Sequence, residues 1–396
     1  MSKLVRLELY RFFKNTKNRV ILVIILVYPF LLFAWLEHQS GSYMKIQSDL
    51  HMNQSRIANI RALTLMRAKD DNSINIVSNN DQLITFFQEV SRNELSAGKF
   101  YLSNDQKNYK FINTSLKKIY DLYLNALDNE LISDQVILEF GYTRADLEAG
   151  AFYSEYLDEN LETIYLNKFE INGFNATKLV FSGQNLLVLI LLIVLMLSDI
   201  YLKDLLEGGY KLIYSLQIDR RKLLLSKLIV ALVILVILIL YVTLTVFLVS
   251  SVIGGYGDPE YPIVSTSINQ FYLSSNEMSF QVTPIWLYIL IGFIQIVLVC
   301  STLVYLMILV SISIKSLSVV MGASLGILFF TFFINSMMPA SSIWRAIFPF
   351  SYIYVENLLN VNSISNLTIG FLINLTLTSL FIGAPLTYIS RIDIGD

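Results

Sequence analysis

The chain has 396 residues, of which 55% are hydrophobic and only 15% charged, with a formal net charge of -2 and a mean hydropathy of +0.57. A water-facing surface needs more charge than this, so an ordinary soluble domain is excluded. The near-neutral balance argues against a nucleic-acid partner, and the lone Cys300 excludes an intrachain disulfide or a thiolate metal cluster.

The first nineteen residues hold Lys3, Arg6, Arg11, Lys14, Lys17 and Arg19 against one acid, Glu8. Within them Leu4, Val5, Leu9, Phe12 and Phe13 fall near one helical face. This spacing predicts an amphipathic helix along the inner membrane surface, with Phe12 and Phe13 as interface anchors. Six runs then lack Asp, Glu, Lys and Arg: 20–36, 179–198, 228–257, 278–314, 316–344 and 357–390. Each is about the length that crosses a bilayer core of roughly 30 Å at ~1.5 Å per residue. The expected fold is all-α, a polytopic membrane protein with six transmembrane helices. The first covers 20–36, and the others lie near 179–202, 227–253, 285–312, 317–338 and 366–389. The first run could be a signal peptide, but it ends in "AWLEHQ" without a small-x-small cleavage site, so a retained anchor is expected.

Charge placement sets the orientation. Residues 202–227 carry Lys203, Lys211, Arg220, Arg221, Lys222 and Lys227, whereas 254–284 has no Lys or Arg and 338–365 only Arg345. Alternating basic and non-basic connections put both termini, including a tail at 391–396, in the cytoplasm of a plasma membrane. Lys227 is then an interface anchor at the start of the third span. The segment 37–178 falls outside and is too long for an ordinary loop, so it should form an extracytoplasmic domain. "DQLITFFQEV" (81–90), "LKKIYDLYLNAL" (116–127) and the stretch 147–166 repeat apolar residues every three or four positions, and 38–178 contains no proline. Helices are expected there, with the aromatic stripes read as core rather than a ligand groove.

Catalytic patterns are nearly lacking. No G-x-x-x-x-G-K-[ST] loop cradles a phosphate, so no cofactor is expected in this chain. Gly322-Ala-Ser324-Leu-Gly326 matches G-x-S-x-G, but it lies in a predicted span, and the two histidines, His38 and His51, fall on the far side of the membrane. Gly322 and Gly326 read better as a helix-packing face. Neither histidine belongs to a spacing that would ligate a metal. Asp199 reads as an interfacial carboxylate beside Lys203, and the uncharged spans suit a hydrophobic or amphipathic cargo.

The connection 203–226 is longer than a tether requires. Gly208 and Gly209 can interrupt the preceding helix, Leu212, Ile213, Leu216 and Ile218 form a short apolar face, and Asp219 is placed to cap the next helix. Anchoring alone is the simpler reading. The stretch also resembles the signature loop of type-2 ABC (ATP-binding cassette) exporter permeases, through Glu207, Gly209, Leu212, Leu216, Ile218, Arg220 and Lys227. It departs from that pattern at Gln217, often proline in the family, and at Asp219, often serine. "AIFPFSYIYVENLL" (346–359) is similar to the family's aromatic-proline segment before the last span. The resemblance covers the membrane part but not 38–178. It implies a permease, of bacterial type, that pairs with a separate cytoplasmic ATPase carrying the ATP, and with a second copy or homologue to form a dimer. It further implies that Glu207, Gly209, Leu212, Leu216, Ile218 and Arg220 seat the loop in that ATPase. A different reading is a non-transporting sensor or assembly subunit that uses 37–178 as a receptor.

Overall fold

The computed structural model describes residues 2–70, 80–103, 109–161, 167–202, 220–268, 278–314, 316–337, 347–359 and 367–389. The chain divides into two compact units, one of residues 1–33, 172–265 and 283–396, the other of 34–171 and 266–282.

The first unit begins with α1 (Ser2–Lys14), which stops at Asn15, and α2 (Thr16–Asp70) starts immediately after. The Asn15 side chain accepts from the Lys17 amide at 3.1 Å, satisfying one of the free N–H groups of the new helix. The charge-free run ends at Leu36 but the helix does not, because nothing there breaks helical geometry; α2 is 55 residues long in all. Two short helices follow in this unit, α7 (Gly173–Val180) and α8 (Gly183–Leu197). One straight span is expected over 179–202, yet these helices meet at a bend of 58°. Gly183 sits at the bend with φ +53°, a conformation that costs glycine little and other residues more.

After α9 (Arg220–Gly254) come β1 (Pro262–Ile268) and β2 (Met278–Pro284), paired in a two-stranded sheet that the helix-only expectation lacked. Next are α10 (Ile285–Ser313) and α11 (Leu317–Met337), then a 3-10 turn at Pro349–Ile353 and α12 (Val355–Leu358). The final helix is α13 (Leu367–Ile389). Among the described residues, five helices are long and apolar enough to cross a membrane, and the bent α7–α8 pair would make a sixth. The chain is thus a polytopic, almost entirely helical membrane protein.

α10 is the central member of this unit, packing on α13, α9 and α11 and burying Ile296, Val299, Leu303 and Val304. The buried Thr302 hydroxyl is satisfied both within its helix and between helices. Thr302 Oγ1 contacts Thr378 Oγ1 at 2.7 Å and also bonds the Leu298 carbonyl. The aromatic-proline segment packs into the unit as well: Phe350, Tyr352 and Ile353 are buried, and Asn374 donates to the Pro349 carbonyl at 3.2 Å. A Cβ at Gly370 would stand 2.4 Å from the Tyr352 ring, so only glycine lets that ring lie against α13.

In the second unit α4 (Tyr109–Asp128) packs on α3 (Asn80–Ser103) and on α6 (Arg144–Asn160), α2 joins α3 through the Ser48, His51 and Ser55 side chains, and the short α5 (Asp134–Glu139) falls between α4 and α6 in the chain. Two of the periodic patches of the sequence lie in α3 and α4, and residues 147–160 of the third lie in α6, while its residues 162–166 lie outside the described residues. The apolar faces of these helices bury Val90, Ile112, Ile119, Tyr123, Leu147 and Leu157. Thr143 and Asp146 form a reciprocal capping box at the start of α6. The aromatic stripes are core: Tyr123 packs on Phe86, Phe140 and Tyr142.

Candidate functional site

The amphipathic design of α1 includes one deliberate exception. Its inner face buries Phe12, but one turn earlier the same face carries Glu8, which is only 5% exposed. A buried carboxylate needs partners, because the ionised form loses hydration that an apolar environment does not replace. Glu8 has two. Oε1 lies 3.4 Å from Arg11 Nη1 on the next turn, and Oε2 lies 3.1 Å from Lys227 Nζ, 219 residues along the chain. Lys227 is itself only 3% exposed, and its ammonium also donates to the Ile200 carbonyl at 3.1 Å.

A second pair forms just past the α1–α2 break. Lys17 Nζ lies 3.0 Å from Asp199 Oδ2 and donates to the Leu195 carbonyl at 3.0 Å and to Ser198 Oγ at 3.3 Å. Asn15 Nδ2 donates to the same Asp199 oxygen at 3.0 Å. Asn18, buried, turns back to the Phe12 carbonyl at 3.2 Å and fixes the angle between α1 and α2. Asn15 and Lys17 therefore tie the break to the end of α8, while Glu8 ties α1 to the start of α9.

The placement matters because of what lies between. Leu195, Ser198, Asp199 and Ile200 precede the segment 203–219, and Lys227 follows it. Residues on both sides of that segment are fastened to the N-terminal helices, Lys227 to α1 and Asp199 to the start of α2, by buried or half-buried ion pairs. The two pairs also raise the cost of separating these elements, since withdrawing either partner of a buried pair strands the other.

The predicted site residues fare unevenly in position. Glu207, Gly209, Leu212, Leu216 and Ile218 lie outside the described residues, as does Lys203, the expected neighbour of Asp199. Arg220 opens α9 and is half-buried. Of the expected interface anchors, Phe12 is buried and Phe13 is 45% exposed, their rings edge to face at 5.5 Å. Lys227 does not face the membrane surface. It is enclosed and pairs with Glu8, because the start of α9 is covered by α1. Asp199 likewise is not an exposed interfacial carboxylate; it is 7% exposed and held by Lys17 and Asn15. A Cβ built on Gly322 or Gly326 meets nothing within 4 Å among the described residues, so no described helix packs closely on that face. Ser324 donates to the Met321 carbonyl at 2.8 Å, an ordinary intrahelical contact.

Sequence reasoning missed Glu8, Lys17 and Asp199 as a set. A signal existed for the first: a single acid on the apolar face of an otherwise basic helix requires a buried cation somewhere. Nothing local named Lys227 as that cation.

Residues 11–348 match the family model described as ABC-2 family transporter protein. That match takes in the end of α1, the 203–219 segment, and the helices on both sides of it. No curated protein and no solved structure matches the chain.

Proposed function

This chain belongs to the ABC-2 family of transporter proteins and is a permease subunit of an ABC transporter; from that premise we propose that it forms the membrane half of an ATP-driven exporter, with the 203–219 segment as its coupling element. Membership in the family implies partnership with an ATPase subunit in general. In our reading that subunit is cytoplasmic, holds the ATP, and seats the segment through Glu207, Leu212, Leu216 and Ile218. The observation that carries the reading is the double fastening of the segment's flanks, Glu8 to Lys227 and Lys17 to Asp199. A connector serving only as a membrane tether needs no such bracing, whereas a lever does: coupling requires a discrete element that both ends can bias.

The basic flanks favour a cytoplasmic location for the segment and both termini, which sets 37–178 outside. Phe13 and Tyr10, exposed on α1, suit the lipid interface of a bacterial plasma membrane. A second permease chain, identical or homologous, completes the transporter, and the open Gly322–Gly326 face offers a close-approach surface for its helix. The cargo in this reading is hydrophobic or amphipathic, a peptide being the leading class, since the charge-free spans offer no ion pathway.

Affinity purification from membranes tests the pairing. The exporter reading expects a nucleotide-binding chain to co-purify and its ATP hydrolysis to respond to the permease. A preparation free of any ATPase, with ligands of 37–178 still bound, would instead identify a non-transporting receptor.

A further inference from the structure

The second unit carries an open groove of about 630 Å³, bounded by α2, α3, the α4–α5 connection and the start of α6. We propose that this groove binds a cationic amphipathic peptide segment. Its volume lies within the ~300–1,000 Å³ common for binding clefts. The floor is apolar, formed by Leu65, Leu83, Phe87, Leu131, Ile132 and Val136. An apolar floor alone would accept many ligands; the charges around it narrow the choice.

Two arginines line the groove, and both are already compensated. Arg61 pairs with Glu139, and its guanidinium lies 5.5 Å from the centroids of the Phe87 and Phe140 rings. Arg144 holds Asp128 at 2.7 Å and Glu148 at 2.9 Å. Neither is left to receive an anionic ligand without giving up an existing partner. Glu130 and Asp134 also line the groove, are exposed, and make no ion pair with another described residue. The local balance is therefore two cations against five carboxylates, with the uncompensated charge negative.

An acidic amphiphile would meet repulsion from Glu130 and Asp134 and no free cation. A neutral apolar ligand would gain from the floor but nothing from the rim. A peptide with lysine or arginine one helical turn from leucine-like residues satisfies both features at once, its apolar side on Leu131 and Ile132 and its cations at Glu130 and Asp134. The inference rests on the exporter reading for the outward placement of this unit, and it gives the amphipathic cargo class a specific chemistry and a first contact.

The test uses the full chain in nanodiscs of phosphatidylcholine, whose headgroups carry no net charge, with empty nanodiscs as the baseline. Two labelled helical peptides of the same pattern serve as probes, one built of lysine and leucine, the other of glutamate and leucine. Saturable binding of the lysine–leucine probe is expected, with the Kd weakened roughly five- to tenfold by combined Glu130→Gln and Asp134→Asn, as two rim charge contacts would supply. The variant should keep the wild-type unfolding temperature, since both side chains are exposed. No binding, equal binding of the acidic probe, or a Kd unchanged in the variant overturns the groove assignment. ATP hydrolysis by the same preparation with its co-purified ATPase separates the two readings. Coupled hydrolysis without peptide binding removes the groove proposal alone. Peptide binding that depends on Glu130 and Asp134, without any coupled ATPase, keeps the groove and removes the exporter reading.

Discussion

Glu8 in the first unit and Glu94 in the second are both glutamates hidden from solvent, at 5% and 0% exposure, but they are built into their surroundings differently. Glu8 has a cation on each oxygen, and one of those cations comes from a distant helix. Glu94 has His51 Nδ1 at 2.6 Å on Oε2, while its Oε1 makes no hydrogen bond among the described residues. His51 is in turn stacked on Tyr101 with the rings 5.4 Å apart. Burial pushes the Glu94 carboxyl above the usual carboxylate range, and the His51 contact only partly opposes it. The first acid is a fastener between α1 and α9. The second is a buried acid inside one helical cluster, where its protonation becomes part of that cluster's stability.

The largest effect should come from breaking the first arrangement. Lys227→Ala leaves the buried Glu8 carboxylate with only the longer Arg11 contact and should cost about 3 kcal/mol, the lower end of the usual penalty for removing one partner of a buried pair. Fluorescence-detected gel filtration after heating would show it as a lowered unfolding temperature. Combined Glu8→Gln and Lys227→Met should restore most of the loss, because neither charge is then left buried. If the double variant were as unstable as the single, the pair would not be what joins α1 to α9.

Lys17→Ala should be milder. Lys17 keeps 32% of its side chain exposed, and Asp199 retains the Asn15 amide when the ammonium is gone. A loss of roughly 1 kcal/mol fits a half-exposed pair, read by the same thermal assay. A loss as large as that of Lys227→Ala would mean that the α1–α2 break, rather than the Glu8 pair, is the principal fastening.

The smallest expected effect concerns Glu94, and its sign follows from the raised pKa. The folded unit holds the carboxyl proton more tightly than the unfolded chain does. This contribution is therefore full below the ordinary carboxylate pKa and is lost as pH rises through the raised one. Between about pH 5 and pH 8 the unfolding temperature of the second unit should fall, and Glu94→Gln, which fixes a neutral side chain in the same space, should flatten the trend. Differential scanning calorimetry in matched buffers checks it. An equally steep trend in the variant would assign the pH dependence to other groups.

These two acids also show what could be read from the sequence. Spans are legible because the cost of charge in hydrocarbon leaves uninterrupted apolar runs, and five of those runs contain long helices at nearly the expected places. The bend at Gly183 was hidden inside such a run, since one glycine among leucines does not announce a 58° turn. The continuation of α2 past Leu36 was equally hidden, because the change there is in solvent, not in backbone preference. The strands "PIVSTSI" and "MSFQVTP" carry β-branched residues but are too short to stand out beside helices of twenty residues and more. Within the site, Arg220 and Lys227 were visible as basic residues near a span, but the pairing of Lys227 with Glu8 joins residues 219 positions apart and no local pattern encodes it. The coupling residues from Glu207 to Ile218 were legible only through a family resemblance, and they lie outside the described residues.

The central claim, that 203–219 transmits ATP-driven motion into the braced helices, is tested most directly by Leu216→Asp in the transporter with its co-purified ATPase. A charge placed in an apolar contact without a partner should disfavour seating by a few kcal/mol, on the order of the cost of burying an unpaired polar group. Insertion and thermal stability should match wild type, because α1, α8 and α9 keep their ion pairs. Glu207→Ala should act in the same direction, whereas Lys315→Ala, in the short connection between α10 and α11, should be mild. The account predicts that transport and transport-linked ATP hydrolysis collapse in Leu216→Asp while protein levels hold. Normal coupled hydrolysis and transport in both loop variants would contradict it and leave the segment as an anchor alone.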